Sequence, residues 1–206
     1  MFIVLLVNKL YDLSTLYCRL RMGQLYFIAL MLWLSYGSNC CILQLEAEHG
    51  TSDGMEMYRG SASNGLTVLL HSGEYILHTF RASSSCGVTV SDVTYSNDGK
   101  SDLIALSRDS IALGNFRTIA VTGNGYLWNS FKHSGPVGHP YEISPGTHNL
   151  TLRVVSADQY GVEIDKTTLS IVWAGIETGP EEPCPKSAVE VINTVGSEGL
   201  SSRGIP

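Results

Sequence analysis

The 206-residue chain lacks the short motifs that announce a catalytic or nucleotide-binding centre. Its six histidines are scattered and form no His-Glu-x-x-His pair, so the helical zinc-protease arrangement is absent. There is no Gly-x-Ser-x-Gly elbow and no phosphate-cradling glycine loop. Cysteine is scarce: Cys18, Cys40, Cys41, Cys86 and Cys184 include no Cys-x-x-Cys spacing and no Cys/His set for zinc. Basic residues are few and unclustered, 13 against 19 acidic ones, which argues against nucleic acid as a partner, because phosphate binding needs Lys and Arg clusters. Past the leader no stretch keeps a helical period.

One apolar run stands apart. Leu25–Tyr36 is preceded by Arg19 and Arg21 and followed by Ser38-Asn39-Cys40, the order of a secretory signal. It is short against the roughly 20 residues of a bilayer span. An uncleaved anchor running from Leu25 to Leu45 is the alternative, and only then does the protein touch a membrane. Either way the basic flank stays inside and the domain faces outward. Met22 is an alternative start. Residues 1–40 are therefore expected to be leader, 41–174 a folded domain and 175–206 a low-order tail rich in Gly, Pro, Glu and Ser. Without the leader, 10 basic and 18 acidic residues remain, which suits cations or neutral ligands. Export permits a disulfide. A bridge from Cys86 to Cys184 and a free, buried Cys86 are both open.

Glycine is plentiful at 21 residues and punctuates short apolar runs. Strands are expected at 42–48, 66–70, 74–81, 87–94, 102–107, 110–121, 126–131, 148–157 and 160–172. Many short strands at regular spacing indicate an all-β sandwich or barrel. Leu150, Leu152 and Val154 alternate with Asn149, Thr151 and Arg153, so the sequon Asn149-Leu150-Thr151 lies on an outward face and Asn149 is a glycosylation candidate. Apolar parity breaks between Val162/Ile164 and Leu169/Ile171, which predicts a bulge near 165–168.

Acidic residues mark both ends of the domain. Glu46 and Glu48 share one face of the first strand, about 7 Å apart by strand geometry. Asp165 lies in the last strand at the expected bulge, a place where side chains are re-aimed. By composition alone a solvated acidic edge strand is the favoured account of them. Asn97–Asp102 has part of a calcium-loop pattern without its terminal Glu, and reads better as a hairpin turn with Asp98-Gly99 at its tip.

Leu45-Glu46-Ala47-Glu48, Ser72-Gly73-Glu74-Tyr75-Ile76-Leu77 and Ile164-Asp165-Lys166-Thr167-Thr168-Leu169, in that order, resemble carbohydrate-binding modules of families 6 and 35. The resemblance covers 42–172 and implies a galactose-binding-like jelly-roll β-sandwich without catalytic activity. It also implies a structural calcium ion (Ca2+) held by Glu46, Glu48 and Asp165. The stretches 95–102, 127–131 and 157–163 are similar to secreted invertebrate proteins of unknown function and depart from the common sugar-binding pattern.

In the resembled families a sugar binds among loops at one end of the sandwich, stacking on an aromatic side chain while polar groups hold its hydroxyls. Here the loop aromatics are Trp128, Tyr95 and Tyr160, with Asn97, Asp98, Asn129 and Asp158 as polar partners. Trp128 as core packing under a loop is the plainer alternative. Three functions follow: a secreted glycan binder stabilised by calcium; an extracellular protein-interaction or adhesion domain that keeps the sandwich; and a hydrolase using a carboxylate pair that no motif reveals.

Overall fold

The computed structural model describes residues 39–123, 125–173, 182–183 and 188–192. The leader up to residue 38, Cys184 and most of the expected tail lie outside these residues. Two antiparallel sheets face each other around one core.

The first sheet is built on β1 (Asn39–Glu46), β6 (Cys86–Asn97), β10 (Val137–Ile143) and β12 (Val162–Trp173), in the order β10-β6-β12-β1. β3 (Met55–Tyr58) and β4 (Leu66–Leu70) extend it beside the first half of β12, and β9 (Lys132–His133) pairs with β6. The second sheet runs β5-β11-β7-β8, from β5 (Tyr75–Ala82), β11 (Gly146–Ser156), β7 (Leu103–Arg108) and β8 (Ile111–Arg117), with β2 (Thr51–Ser52) on β5. Chain ends close the sandwich. β1 pairs antiparallel with β12, Leu43 opposite Leu169 and Glu46 opposite Lys166.

Period-two alternation builds the core. Ile76 and Phe80, Ile104 and Leu106, and Leu150, Leu152 and Val154 point in from the second sheet; Val88, Val90, Val162, Ile164, Leu169 and Ile171 point in from the first. Each such side chain gains about 1.5–3 kcal/mol on full burial. The expected bulge is present, and it sits at Asp165. Ile164 pairs with Tyr95 and Lys166 with Thr94, so Asp165 is the extra residue of β12. After it the inward positions become Thr167, Leu169 and Ile171. A second register shift opposite Val90 and Asp92 flips β6 in the same way, from Val88/Val90 to Val93/Tyr95.

Several expectations change. The run 126–131 is loop, not strand, because glycines and side-chain bonds hold it in turns. β10 was not among the expected strands; it contains Pro140, and it lies at a sheet edge with its ladder interrupted between Val137 and Tyr141, where a missing N–H does no harm. The segment 175–206 contributes two strands. β13 (Glu182–Pro183) pairs parallel with β1, and β14 (Val189–Ile192) joins the edge of β5, burying Val189. Glu48 lies in a 3-10 turn, Ala47–His49, rather than on the strand. Asp98-Gly99 is not a hairpin tip, since β6 and β7 belong to different sheets and the loop crosses between them. Cys86 is a free, buried thiol, which overturns its bridge to Cys184; Cys41 is disulfide-bonded.

Candidate functional site

The residues singled out in the sequence gather at two places joined by one short loop. The first is the carboxylate group. Ser63, in the loop between β3 and β4, places its hydroxyl within hydrogen-bond distance of Glu46 Oε2 and, at 2.9 Å, of Asp165 Oδ1, with one proton shared between the two carboxylates. Its backbone N–H donates to the same Asp165 oxygen at 2.9 Å. Asn64 Nδ2 donates to Glu48 Oε1 at 3.1 Å, while Glu48 Oε2 is buried with no hydrogen-bond partner. Burial pushes the Glu46 carboxyl above its ordinary range; Asp165 and Glu48 push the same way, against the Ser63 bond and Lys166. Glu46, Glu48 and Asp165 all contact the loop 63–64, although among the described residues no three acidic, His or Cys side chains are grouped as ion ligands.

The second place is the end of the sandwich formed by the loops after β6, β8 and β11. A cavity of about 550 Å³ opens there, lined by Lys100, Val121, Thr122, Asp158, Gln159 and Tyr160 among others. Asp158 organises its wall: Oδ2 accepts from Lys100 N at 2.6 Å and Oδ1 from Tyr160 N at 2.9 Å. Asp102 lies behind it, fully buried, accepting from Asp158 N and Thr118 Oγ1. Burial pushes the Asp102 carboxyl up to about 6, with the Asp158 charge adding.

Three expected ligand contacts are corrected. Tyr95, Asn97 and Asp98 are all buried and cannot meet a ligand. Tyr95 follows the inward parity of β6, and its phenol oxygen accepts from Ile119 N at 3.0 Å. Asn97 Nδ2 ties the carbonyls of Lys100 and Ile119 and the hydroxyl of Thr118. Asp98 Oδ2 accepts from Leu127 N and so pins the loop that carries Trp128. These residues build the loops rather than face out of them. Asn129 is exposed. Asn149 is exposed on β11, its side-chain oxygen accepting from Thr79 Oγ1 at 2.9 Å.

Trp128 is neither in the core nor free. It is half-buried, with its indole N–H donating to Gly125 O at 3.1 Å and the Arg59 guanidinium 5.9 Å from its ring centroid. It does not line the cavity itself; Gly125 lies between it and the Tyr160 ring. Arg59 is held in turn by Glu163, a carboxylate with no exposed side-chain surface, through Nε at 2.8 and 3.1 Å and through Nη2. Thr67 Oγ1 donates to the same carboxylate at 3.1 Å. Sequence reasoning missed Arg59, Lys100, Gln159 and the exposed Tyr126. A Glu between two inward apolar residues, Val162-Glu163-Ile164, was the available signal that a cation must cover it.

No protein-family model matches the chain, and no curated protein does. Solved structures do. A family 35 carbohydrate-binding module from Clostridium thermocellum superposes with a TM-score of 0.51 at 15% identity, covering 62% of this chain and 96% of that one. The chain has the fold of a carbohydrate-binding module. A β-(1,4)-mannanase of Podospora anserina that joins a GH26 domain to a family 35 module matches at 0.50 and 13% identity, over 68% of this chain and 29% of that one. The C-terminal family 6 module of LamC from Zobellia galactanivorans matches at 0.46 and 18% identity, over 62% and 98%. The expected jelly-roll sandwich is therefore the fold found.

Proposed function

We propose that the protein is a secreted, non-catalytic carbohydrate-binding module whose ligand, a glycan, sits in the loop-end cavity walled by Asp158 and Tyr160, beside the loop that carries Trp128. The observation that carries this is the 550 Å³ cavity with Asp158 and Tyr160 in its wall, next to a loop that presents Trp128. Aromatic faces stack on the apolar face of a sugar ring, and polar groups in the wall select its hydroxyls. Gln159, Asp158, Lys100 and Thr122 are polar residues of that wall, and Asn129 is exposed on the Trp128 loop.

Calcium belongs to the same proposal. Glu46, Glu48 and Asp165 offer hard oxygen donors, one of them buried without a partner, and the mutual push on the Glu46 carboxyl is what a cation relieves. These three residues would hold the ion, which supplies charge neutralisation that ties the first and last strands. Secretion rests on the signal-like leader, and a glycan on Asn149 on its exposed sequon.

The second reading is an extracellular protein-interaction or adhesion domain. Exposed Tyr126, Leu127 and Ile119 at the same end favour it. A glycan array with calcium present separates the two. Binding lost on Tyr160→Ala or Trp128→Ala supports the first; no binding to any glycan overturns it in favour of the second.

A further inference from the structure

The loop 59–65 joins the two places just described. Three backbone hydrogen bonds close it on itself: Arg59 N to Gly65 O at 2.9 Å, Ala62 N to Arg59 O at 3.1 Å and Gly65 N to Ala62 O at 3.2 Å. A loop bonded in this way shifts as a unit. Its first residue, Arg59, is fixed to Glu163 by a fork and lies over the Trp128 ring. Its Ser63 and Asn64 are fixed to Glu46, Asp165 and Glu48. The two anchors on β12, Glu163 and Asp165, stand on either side of Ile164 at the bulge.

We propose that the loop 59–65 is a coupling element that sets the position of Trp128 according to the state of the Glu46, Glu48 and Asp165 carboxylates. This rests on the reading of those carboxylates as a cation site and of Trp128 as a ligand contact. Asp165 Oδ1 already accepts from Ser63 N and shares the Ser63 hydroxyl with Glu46. A cation drawing on that oxygen competes with both bonds, and the change passes through a self-closed loop to Arg59. Arg59 cannot absorb it alone, because its fork faces a carboxylate sealed from water, where a lost bond is costly. The ring of Trp128 responds because the Arg59 guanidinium lies 5.9 Å from its centroid. Cation occupancy and ligand affinity are then linked, each raising the other by the same factor. Arg59 and Glu163 are positioning residues in this scheme and touch no ligand.

The test reads Trp128 without any sugar. The indole ¹H–¹⁵N signal of Trp128 in the full chain is assigned by its loss in Trp128→Phe, and calcium chloride is titrated while melting is followed in parallel. Calcium is expected to raise the melting temperature and to shift the Trp128 signal. In Arg59→Lys, which keeps the charge against Glu163 but gives up the fork, calcium should still raise the melting temperature while the Trp128 shift is lost. Ser63→Ala should move the Trp128 signal without calcium. A melting temperature raised by calcium with an unmoved Trp128 signal overturns the coupling and leaves the cation site standing. If calcium changes neither, the cation site fails, and Ser63→Ala then decides: a moved Trp128 signal supports the loop as the link, an unmoved one overturns it.

Discussion

Ser63 meets one carboxylate oxygen of Asp165 with both its backbone N–H and its hydroxyl, each at 2.9 Å, and the hydroxyl proton is shared with Glu46. The bulge makes this geometry. Asp165 is the residue of β12 without a ladder partner, so its side chain leaves the alternation and turns toward the loop 59–65.

Asp165→Ala therefore removes an acceptor from two donors at once. Ser63 is exposed, so water takes up its N–H and the loss is that of an ordinary net hydrogen bond, about 0.5–1.5 kcal/mol, and relief of the repulsion with Glu46 offsets part of that. In chelator the variant should melt below the wild type. Calcium should raise the wild-type melting temperature and leave the variant unchanged. Equal calcium-induced rises in both proteins would remove Asp165 from the proposed ligand set.

The Arg59–Glu163 pair makes a second, independent prediction. Glu163 has no exposed side-chain surface and Arg59 is about four-fifths covered, with 19% of its side chain exposed. Removing one partner leaves a charge with no compensation, which typically costs 3–5 kcal/mol, roughly. Glu163→Ala should lose stability on that order in urea unfolding. The double variant Arg59→Met with Glu163→Leu should lose less than Glu163→Ala alone. A single-variant loss under about 1 kcal/mol would show that the pair is solvated rather than buried.

Acid sensitivity follows from two buried groups that pull in opposite directions. His78 lies on the inward face of β5, and burial lowers its imidazole to about 4, with His49 nearby adding to the effect. Its folded value is below the ordinary 6.5, so the stability it contributes is complete above that value. It is lost as pH falls from 6.5 toward 4, a change on the order of 3 kcal/mol. Asp102 is raised to about 6 from 3.8. Its contribution is present below 3.8 and is lost as pH rises toward 6, so acidification restores it. The wild type should show a shallow profile between pH 4 and 6.5 from this partial cancellation. His78→Leu removes one side of it, and its stability relative to wild type should grow as pH falls across that window. Parallel profiles for the two proteins, measured by urea unfolding at several pH values, would contradict the burial of a neutral His78.

Much of the framework was legible because strands advertise their buried face. Leu150, Leu152 and Val154 alternate cleanly, and the parity break after Ile164 reports the bulge directly. The carboxylate group was legible through the resemblance, since nothing local to Glu46 or Glu48 says that a loop from 63–64 arrives there. The ligand end was legible only in part. Tyr95, Asn97 and Asp98 sit beside a turn signal, and polarity there looks like exposure. In the fold their polar atoms are spent on closing an inter-sheet crossing, which a sequence pattern does not distinguish from facing solvent. Arg59 was missed because its partner is 104 residues away.

Asp98 gives the last prediction. One of its oxygens holds Leu127 N, and the other is buried without a partner, facing Gly123. A Cβ at Gly123 would collide with that carboxylate and with the Leu127 side chain. Gly123→Ala must therefore push the loop 125–128 off Asp98, and with it the carbonyl of Gly125 that receives the Trp128 indole N–H. The expected result is a modest loss of stability, about 1–3 kcal/mol for the broken buried bond, together with a displaced Trp128 indole signal and faster proteolytic cleavage within 120–128. Asp98→Ala should make room for the Cβ, so adding it to Gly123→Ala should cost less than the two single changes summed. Additive losses, or an unmoved Trp128 signal in Gly123→Ala, would mean that Asp98 does not set the position of the aromatic loop.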